Sequence, residues 1–447
     1  MKHLSFFLIP LILIGCSPKS NPENQDVSSG ETDFDFTIQE VNEKELLTGT
    51  GTKAIVGVTL VDGNGGPPAP NTTIIIEGNI IRNVGESNTI TIPPEAEVID
   101  GKGLTLLPGL IDAHFHLDTN KKFPNLFLRH GITSARDPGA WIESYDGARE
   151  AGNPVPRLFL TGPHLDIPPA AYPHNSYLVR DAQEARIAVN KFIDQGGTAV
   201  KVYFRLPVSI IAEICSTAHE RGIPVTGHLE ITNAMDAIQA GLDGIEHITS
   251  FGTVLLPNLA AEAYKQSVYA DNAYRGDGRY IAWNSIDLNK PKADSLVRFL
   301  NKRGTYVCPT LGAFEYRFGE DDSDTVKVKA FKNMMTFTGM VNAGGGKIVV
   351  GSHSWGAYSK VGWAYQQEML LLAESGLTNM EIIEAATMEN ARFFRIEDRL
   401  GSIEIGKQAD LILIEGNPIE DLKAIHNIRR VMLNGAWVPD VEALTPP

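Results

Sequence analysis

The sequence predicts an α/β protein: a TIM-type (β/α)8 barrel with a small β-sandwich formed by N- and C-terminal segments. Three observations predict it. Eight short apolar runs recur through the middle of the chain, most of them followed by an amphipathic segment, the alternation that builds a parallel sheet. Both ends carry β-rich texture with no helix between the strands. The length of 447 residues suits a barrel of roughly 250 residues or more plus an accessory domain.

The first residues read as a targeting segment. Lys2 and His3 precede an apolar run from Leu4 to Ile14, too short for a membrane span, and Gly15-Cys16 follow. Leu13-Ile14-Gly15-Cys16 resembles a bacterial lipobox, whose cysteine is acylated and becomes the mature N-terminus. Residues 1–16 are therefore expected to be a lipoprotein signal segment. The Ser-, Asn-, Asp- and Glu-rich stretch 17–45 has the composition of a disordered tether. The expected location is exported, lipid-anchored to the bacterial cell envelope, at the periplasm or outer membrane, with Cys16 as the lipid attachment point.

The sandwich is expected over 46–105 and 396–447. Its strands are AIVGVTLVDG, NTTIIIEGNIIRNV and AEVIDGKG at one end, ADLILIEGN and IRRVMLNGAWV at the other, with Gly, Asn and Asp at the turns. The barrel is expected over 106–395, with strands in PGLIDAHFH, GITSARDPG, RLFLTGP, TAVKVYF, IPVTGHLE, DGIEHITS, TYVCPT and KIVVGSH. Among the intervening helices, DAQEARIAVNKFI places Ala182, Ala185, Ile187, Ala188 and Phe192 near one face. Long connections after the third, sixth and seventh strands are expected to be loops or lids over the site.

Hydrophobic content of 43% with 21% charged residues fits a soluble globular enzyme. A formal charge of −15 repels a phosphate backbone, so nucleic acid is excluded as a partner. Cys215, on the apolar side of a helical pattern, and Cys308, at the end of an apolar strand, read as core thiols. Two positions alone do not settle whether they pair.

The chemistry is carried by histidines at strand ends. In LIDAHFHLD, His114 and His116 are two residues apart and point to the same side of a strand. His228 ends the fifth strand and His247 the sixth, at the same level. Imidazole is the usual ligand for zinc and similar ions, and barrels keep their chemistry at the C-terminal ends of the strands. Lys201 lies between Val200 and Val202, where a bare ammonium is costly to bury. Either it pairs with an acid such as Glu246, or CO2 converts it to a carbamate, an anionic ligand able to bridge two metals. His130, His219 and His426 fall away from strand ends and read as structural.

These motifs resemble the amidohydrolase superfamily, in particular its prolidase-like and imidazolonepropionase-like members. PGLIDAHFH, AVKVY, GH at 227 and 228, GIEH at 244–247 and GSIEIGKQADLILIEGNP carry the resemblance, which covers nearly everything from Ala54 onward. It implies a metal-dependent hydrolase acting on a C–N bond of a small peptide or cyclic amide, with one or two divalent ions, zinc by default. It also implies that His114 and His116 hold the more buried ion, His228 and His247 the more exposed one, and carboxylated Lys201 bridges them. On the same scaffold, hydrolysis of an ester, lactone or phosphotriester, or a non-catalytic metal-binding surface lipoprotein, are the alternatives.

One departure stands out. Where the resemblance calls for a metal-binding, proton-shuttling aspartate after the eighth strand, this chain reads VVGSHSWG. That puts His353 in place, or Ser352 or Ser354 with a slip of register, and makes His353 the candidate catalytic residue and sixth ligand. Asp118, Asp137 and Glu230 are candidate substitute acids. Tyr172, His174, Tyr203, Arg205, Trp355 and Tyr358 fall in or beside loops above the strands and are candidates for lining a substrate pocket, with Arg205 meeting a carboxylate. The partners expected are a small-molecule substrate and, through the anchor, a membrane; a higher oligomer is left open.

Overall fold

The computed structural model describes residues 37–117, 122–321 and 324–439. Cys16, the 17–36 part of the expected tether, and Asp118 lie outside the described residues.

The strands at the two ends of the chain, those of the expected sandwich, join into one eight-stranded hydrogen-bonded sheet, seven strands along one path and an eighth branching from it. Its order is Ala436–Trp437, Ile428–Leu433, Leu411–Glu415, Leu104–Pro108, Thr52–Leu60, Ala69–Glu77 and Ile80–Glu86, with Glu97–Asp100 also pairing with Thr52–Leu60. Thr52–Leu60 changes neighbours partway: Lys53 to Val56 lie beside Glu97 to Asp100, and Thr59 and Leu60 beside Thr105 and Leu106. The register breaks between Ile55 and Val58, where Gly57 takes φ +79°, so a bulge bends the strand at a residue that tolerates a left-handed backbone. Ile55, Val58, Leu60, Ile74, Ile76, Leu411 and Leu413 fill a core separate from the main one.

All eight expected strands of the central region form, and all pair in parallel. Leu110–Asp112, Ile132–Asp137 and Arg157–Leu160 make a three-stranded sheet. A seven-stranded sheet holds Val200–Val202, Val225–His228, Gly244–Glu246, Tyr306–Cys308 and Lys347–Ile348 in sequence order, with His164–Asp166 and Ser176–Leu178 added at its outer edge. Backbone bonds link the two sheets at both edges: Thr198 N to Leu160 O at 2.8 Å and Ala113 N to Val350 O at 3.0 Å. Most of these strand residues are buried, as expected where helices cover a parallel sheet.

The helix Ala182–Asp194 is capped by Asp181, whose side chain accepts from the Glu184 N–H, and buries Ala185, Ala188, Val189 and Phe192. Ile187, expected on that face, is exposed. At 100° per residue it lies roughly opposite Ala185 and Phe192, and Val189 takes the inner position.

The expected tether is shorter at its C-terminal end than its composition implies. Ile38, Glu40 and Asn42 are buried. Asn42 donates to Pro156 O and accepts from Leu158 N, each at 2.9 Å, and Glu40 pairs with the buried Arg157 and with Arg399. Polar residues that read as solvated are instead satisfied by partners more than a hundred positions away, which local composition does not reveal.

Candidate metal centre

Five imidazoles meet at the C-terminal ends of the parallel strands. Hydrogen-bonded pairing stops at Asp112, so His114 and His116 sit just beyond the strand in which they were expected. Their rings still converge, with Nε2 atoms 3.1 Å apart. The His114 centroid is 4.6 Å from that of His247 and 5.2 Å from that of His353, and His228 lies 4.3 Å from His247. His353 also lies 4.8 Å from His116, and ligand atoms of His114, His116 and His353 are mutually within 4.8 Å.

The turns that deliver these rings hold unusual backbone. His247, Thr310, His353 and Ser354 have φ of +65°, +49°, +55° and +58°, a region that costs non-glycine residues of order 1–3 kcal/mol each. Hydrogen bonds compensate. His247 N donates to Cys308 O (2.8 Å), His353 N to His114 O (2.6 Å), and His116 N to Ser354 Oγ (2.7 Å). Beneath them the buried Asp112 accepts from the backbone N–H groups of His114 and Ser352, tying the first strand to the last.

Four of the rings have one nitrogen engaged by an outer partner. His114 Nδ1 meets Glu246 Oε2 (2.6 Å), His116 Nδ1 meets Asp137 Oδ1 (3.2 Å), and His247 Nδ1 meets Thr310 Oγ1 (2.6 Å). His228 is engaged through Nε2, by Glu230 Oε1 (3.1 Å). The nitrogens left over are Nε2 of His114, His116 and His247 and Nδ1 of His228. Outer partners that fix the tautomer and leave the other nitrogen free are what metal-ligating histidines need, so the donor set fits divalent ions such as zinc.

The outer carboxylates are themselves saturated. Glu246 accepts from Arg136 (3.1 Å) and Thr226 (2.8 Å). Asp137 accepts from Leu117 N, Ala140 N and Tyr145 OH. Glu230 accepts from Tyr264 (3.0 Å) and pairs with Arg279 (3.1 Å). Burial alone would raise the Glu230 carboxyl, but Arg279, the His228 hydrogen bond and Arg275 hold it down at about 2. Asp137 and Glu230, candidates for a general base, are thus orienting groups for His116 and His228.

Burial, then repulsion among the imidazoles and from Lys201, holds the pKa values of His114, His247 and His353 well below the usual histidine range. His228 lies near 3, its burial outweighing the pull of Glu230. Lys201 is buried in the middle of Val200–Val202, and burial lowers its amine to about 8 against the attraction of Glu246. Among the described residues it forms no ion pair with Glu246, whose oxygens are taken by His114, Arg136 and Thr226.

The other expected residues divide. Tyr203 is buried, 5.1 Å from His228 by ring centroid, and its hydroxyl accepts from Arg275 (3.1 Å). Tyr172 lies at the rim, 6.4 Å from Tyr203. Arg205 does not point a free guanidinium at the site: it donates to Pro169 O (2.7 Å) and Asn272 Oδ1 (3.3 Å), clasping two loops. His174 is exposed on a short 3-10 turn, where its carbonyl accepts from Trp141. Trp355 is exposed, and Tyr358 bonds Asp321. His130 stacks on Trp363, His219 bonds Asp243, and Cys215 and Cys308 are free buried thiols.

Sequence reasoning passed over His164. It is buried on the extra strand His164–Asp166, its ring stacks parallel to Tyr203 at 4.5 Å, and its Nδ1 has no hydrogen-bond partner. Gly139 makes room for it, since a Cβ there would stand 2.1 Å from His164 Nε2. The available signal was a histidine four residues past the third strand, in a chain whose other strand-end histidines had all been noted. Arg275 and Arg279, on an insertion after the sixth strand, were also missed.

Residues 105–438 match the model of the amidohydrolase family. An adenine deaminase of Lactiplantibacillus plantarum is 23% identical over 397 residues, 81% of this chain and 55% of that protein. The chain thus spans about half the length of this curated relative. Among solved structures, a Xaa-Pro dipeptidase with bound methionine in its active site is similar at TM-score 0.66 and 23% identity, over 87% of this chain and 99% of that one. Molinate hydrolase is similar at TM-score 0.68 and 19% identity, over 89% and 96%. At these identities the structural likeness speaks for the fold.

Proposed function

The chain belongs to the amidohydrolase family, and on that premise we propose that it hydrolyses a C–N bond of a small peptide or cyclic amide at a zinc centre. The observation that carries this reading is the convergence of five imidazoles, four with one nitrogen tied by an outer partner and the other left over. His114 and His116 would hold one ion, and His228 and His247 a second. When bound, such ions supply Lewis acidity, which acidifies a water and polarises the scissile carbonyl. Lys201 would serve as a carbamate: its neutral amine adds to CO2, a C–N bond forms as one C–O π bond opens and a proton leaves, giving an anionic group that could help hold the ions. A buried amine with no carboxylate partner among the described residues supports this over a salt bridge.

Arg275 and the Tyr203 hydroxyl form the polar end of the pocket, suited to a substrate carboxylate in place of Arg205. His164 offers an unengaged ring nitrogen beside them for the scissile carbonyl. The reading includes closure of the two parallel sheets into a (β/α)8 barrel, supported by the backbone bonds at both edges, and folding of the end sheet into a two-layered sandwich, supported by its separate core.

The test is metal analysis of the purified protein together with hydrolysis of dipeptide, cyclic-amide and ester panels. One to two zinc ions per chain with turnover confined to amides is the expected result. Faster ester than amide turnover would move the assignment to the esterase alternative, and a metal-free protein would sink it. Export and lipid anchoring at Cys16 are proposed on the lipobox-like sequence. The wild-type protein is expected to partition with membranes and Cys16→Ser to be released with unchanged metal content, as fractionation and intact-mass analysis would reveal. A wild-type protein that is already soluble and unacylated would overturn this.

A further inference from the structure

Between His247 and the helix Pro291–Arg303, the chain makes an excursion that includes the helices Asn258–Ala270 and Arg275–Ser285. Tyr264 on the first and Arg275 and Arg279 on the second reach down to one buried carboxylate, Glu230. Tyr264 donates to it at 3.0 Å, Arg279 lies 3.1 Å from it, and Arg275 stands farther off at 3.7 Å while donating to Tyr203. Glu230 in turn engages His228 Nε2, so every group that fixes this carboxylate other than His228 comes from the inserted helices.

We propose that Arg279 and Tyr264 are positioning residues for His228, acting through Glu230, so that the inserted helices set the metal affinity of the more exposed site. The contrast with the other ligands supports it. Glu246, behind His114, is held by Arg136 and Thr226 on neighbouring strands, and Asp137, behind His116, by Leu117 N, Ala140 N and Tyr145 just beyond strand ends, whereas among the described residues Glu230, behind His228, is held by side chains of two inserted helices more than thirty positions away. A small cavity beside Glu230 is lined by Thr249, Thr253, Tyr264, Arg279 and Trp283, and the side-chain polar atoms Thr249 Oγ1, Thr253 Oγ1 and Trp283 Nε1 in these walls are buried without hydrogen-bond partners. Arg275 stands between Tyr203 and Glu230 on the same helix as Arg279.

The inference rests on the metal reading above, and the experiment separates the two. The parent, Arg279→Met, Arg279→Lys and Tyr264→Phe are loaded with cobalt(II), read by its visible absorption and by competition with a chromophoric chelator, with folding checked by circular dichroism. Loss of an outer partner typically costs 10–100-fold in metal affinity. Arg279→Met is expected to bind the weaker cobalt ion at least about tenfold less tightly with a shifted spectrum, Arg279→Lys to recover most of both, and Tyr264→Phe to fall between. A folded Arg279→Met with the parent's affinity and spectrum overturns the inference. If Arg279→Met does not fold, Tyr264→Phe decides, and an unchanged spectrum and affinity there overturn it. A parent that takes up no cobalt would instead defeat the metal reading itself.

Discussion

Replacing Lys201 with methionine is expected to strip most of the divalent metal from the protein and lower turnover by about a thousandfold, the scale of several kcal/mol of lost charge stabilisation. Methionine keeps the length and apolar stem of the lysine, so the strand Val200–Val202 loses no packing. What it cannot do is add CO2. Imidazoles bring no negative charge to the centre, and the nearby acids Glu246, Asp137 and Glu230 are already engaged by arginine, tyrosine, threonine or backbone donors. An anion at position 201 is therefore the main internal source of compensating charge among the described residues. In Lys201→Ala, where a small cavity opens beside the centre, short carboxylic acids such as formate, acetate or propionate are expected to restore part of the metal content and turnover. Measured by metal analysis and initial rates, full metal occupancy and parent turnover in Lys201→Met would show that the lysine is a spectator.

The histidine cluster was legible because its signal is local. A histidine at the end of an apolar run needs only the strand to be found, and the strands were visible from composition and alternation. The second partner of each histidine was not. Glu230 lies two residues beyond a site histidine and Asp137 ends the second strand, placements that invited the reading of a base. Their roles are decided by Tyr145, Tyr264 and Arg279, the last nearly fifty residues from Glu230. Arg205 and Arg275 illustrate the same limit: both are cations near the mouth, and only the fold shows that Arg205 is consumed by Pro169 and Asn272 while Arg275 faces Tyr203. His164 was lost for a different reason. Its strand is three residues long, begins after Thr161-Gly162-Pro163, and reads as loop.

His353 is expected to be required for turnover, and the cleanest variant is His353→Asn. The backbone at 353 is left-handed, φ +55°, a conformation in which Asn, Asp and His are enriched and alanine is not. His353→Ala therefore mixes loss of the ring with backbone strain, whereas His353→Asn removes the basic nitrogens and leaves the turn intact. Both are expected to lose about a hundredfold in turnover, the usual scale for a general base, and His353→Asp to keep or raise it by returning a negative charge to the centre. Burial, then His116, His228 and Lys201, keep the ring's pKa well below 6.5, so it is neutral at pH 7 and able to ligate a metal or accept a proton. The sign follows: a depressed pKa moves protonation to lower pH, so activity persists as pH falls through 6.5 and declines only below it. Stability shifts in the same direction. In the unfolded chain His114, His228, His247 and His353 take up protons near 6.5, while the folded state holds their pKa values down, so their contribution to folding stability is full above that value and is lost as pH falls beneath it. The pH–rate profile of His353→Asp should lack the imidazole's contribution to the acid limb. If His353→Asn turns over the best substrate as fast as the parent, the ring is a bystander. With Asp137 and Glu230 committed to orienting ligands, the proton acceptor would then have to be Asp118 or the unengaged ring of His164.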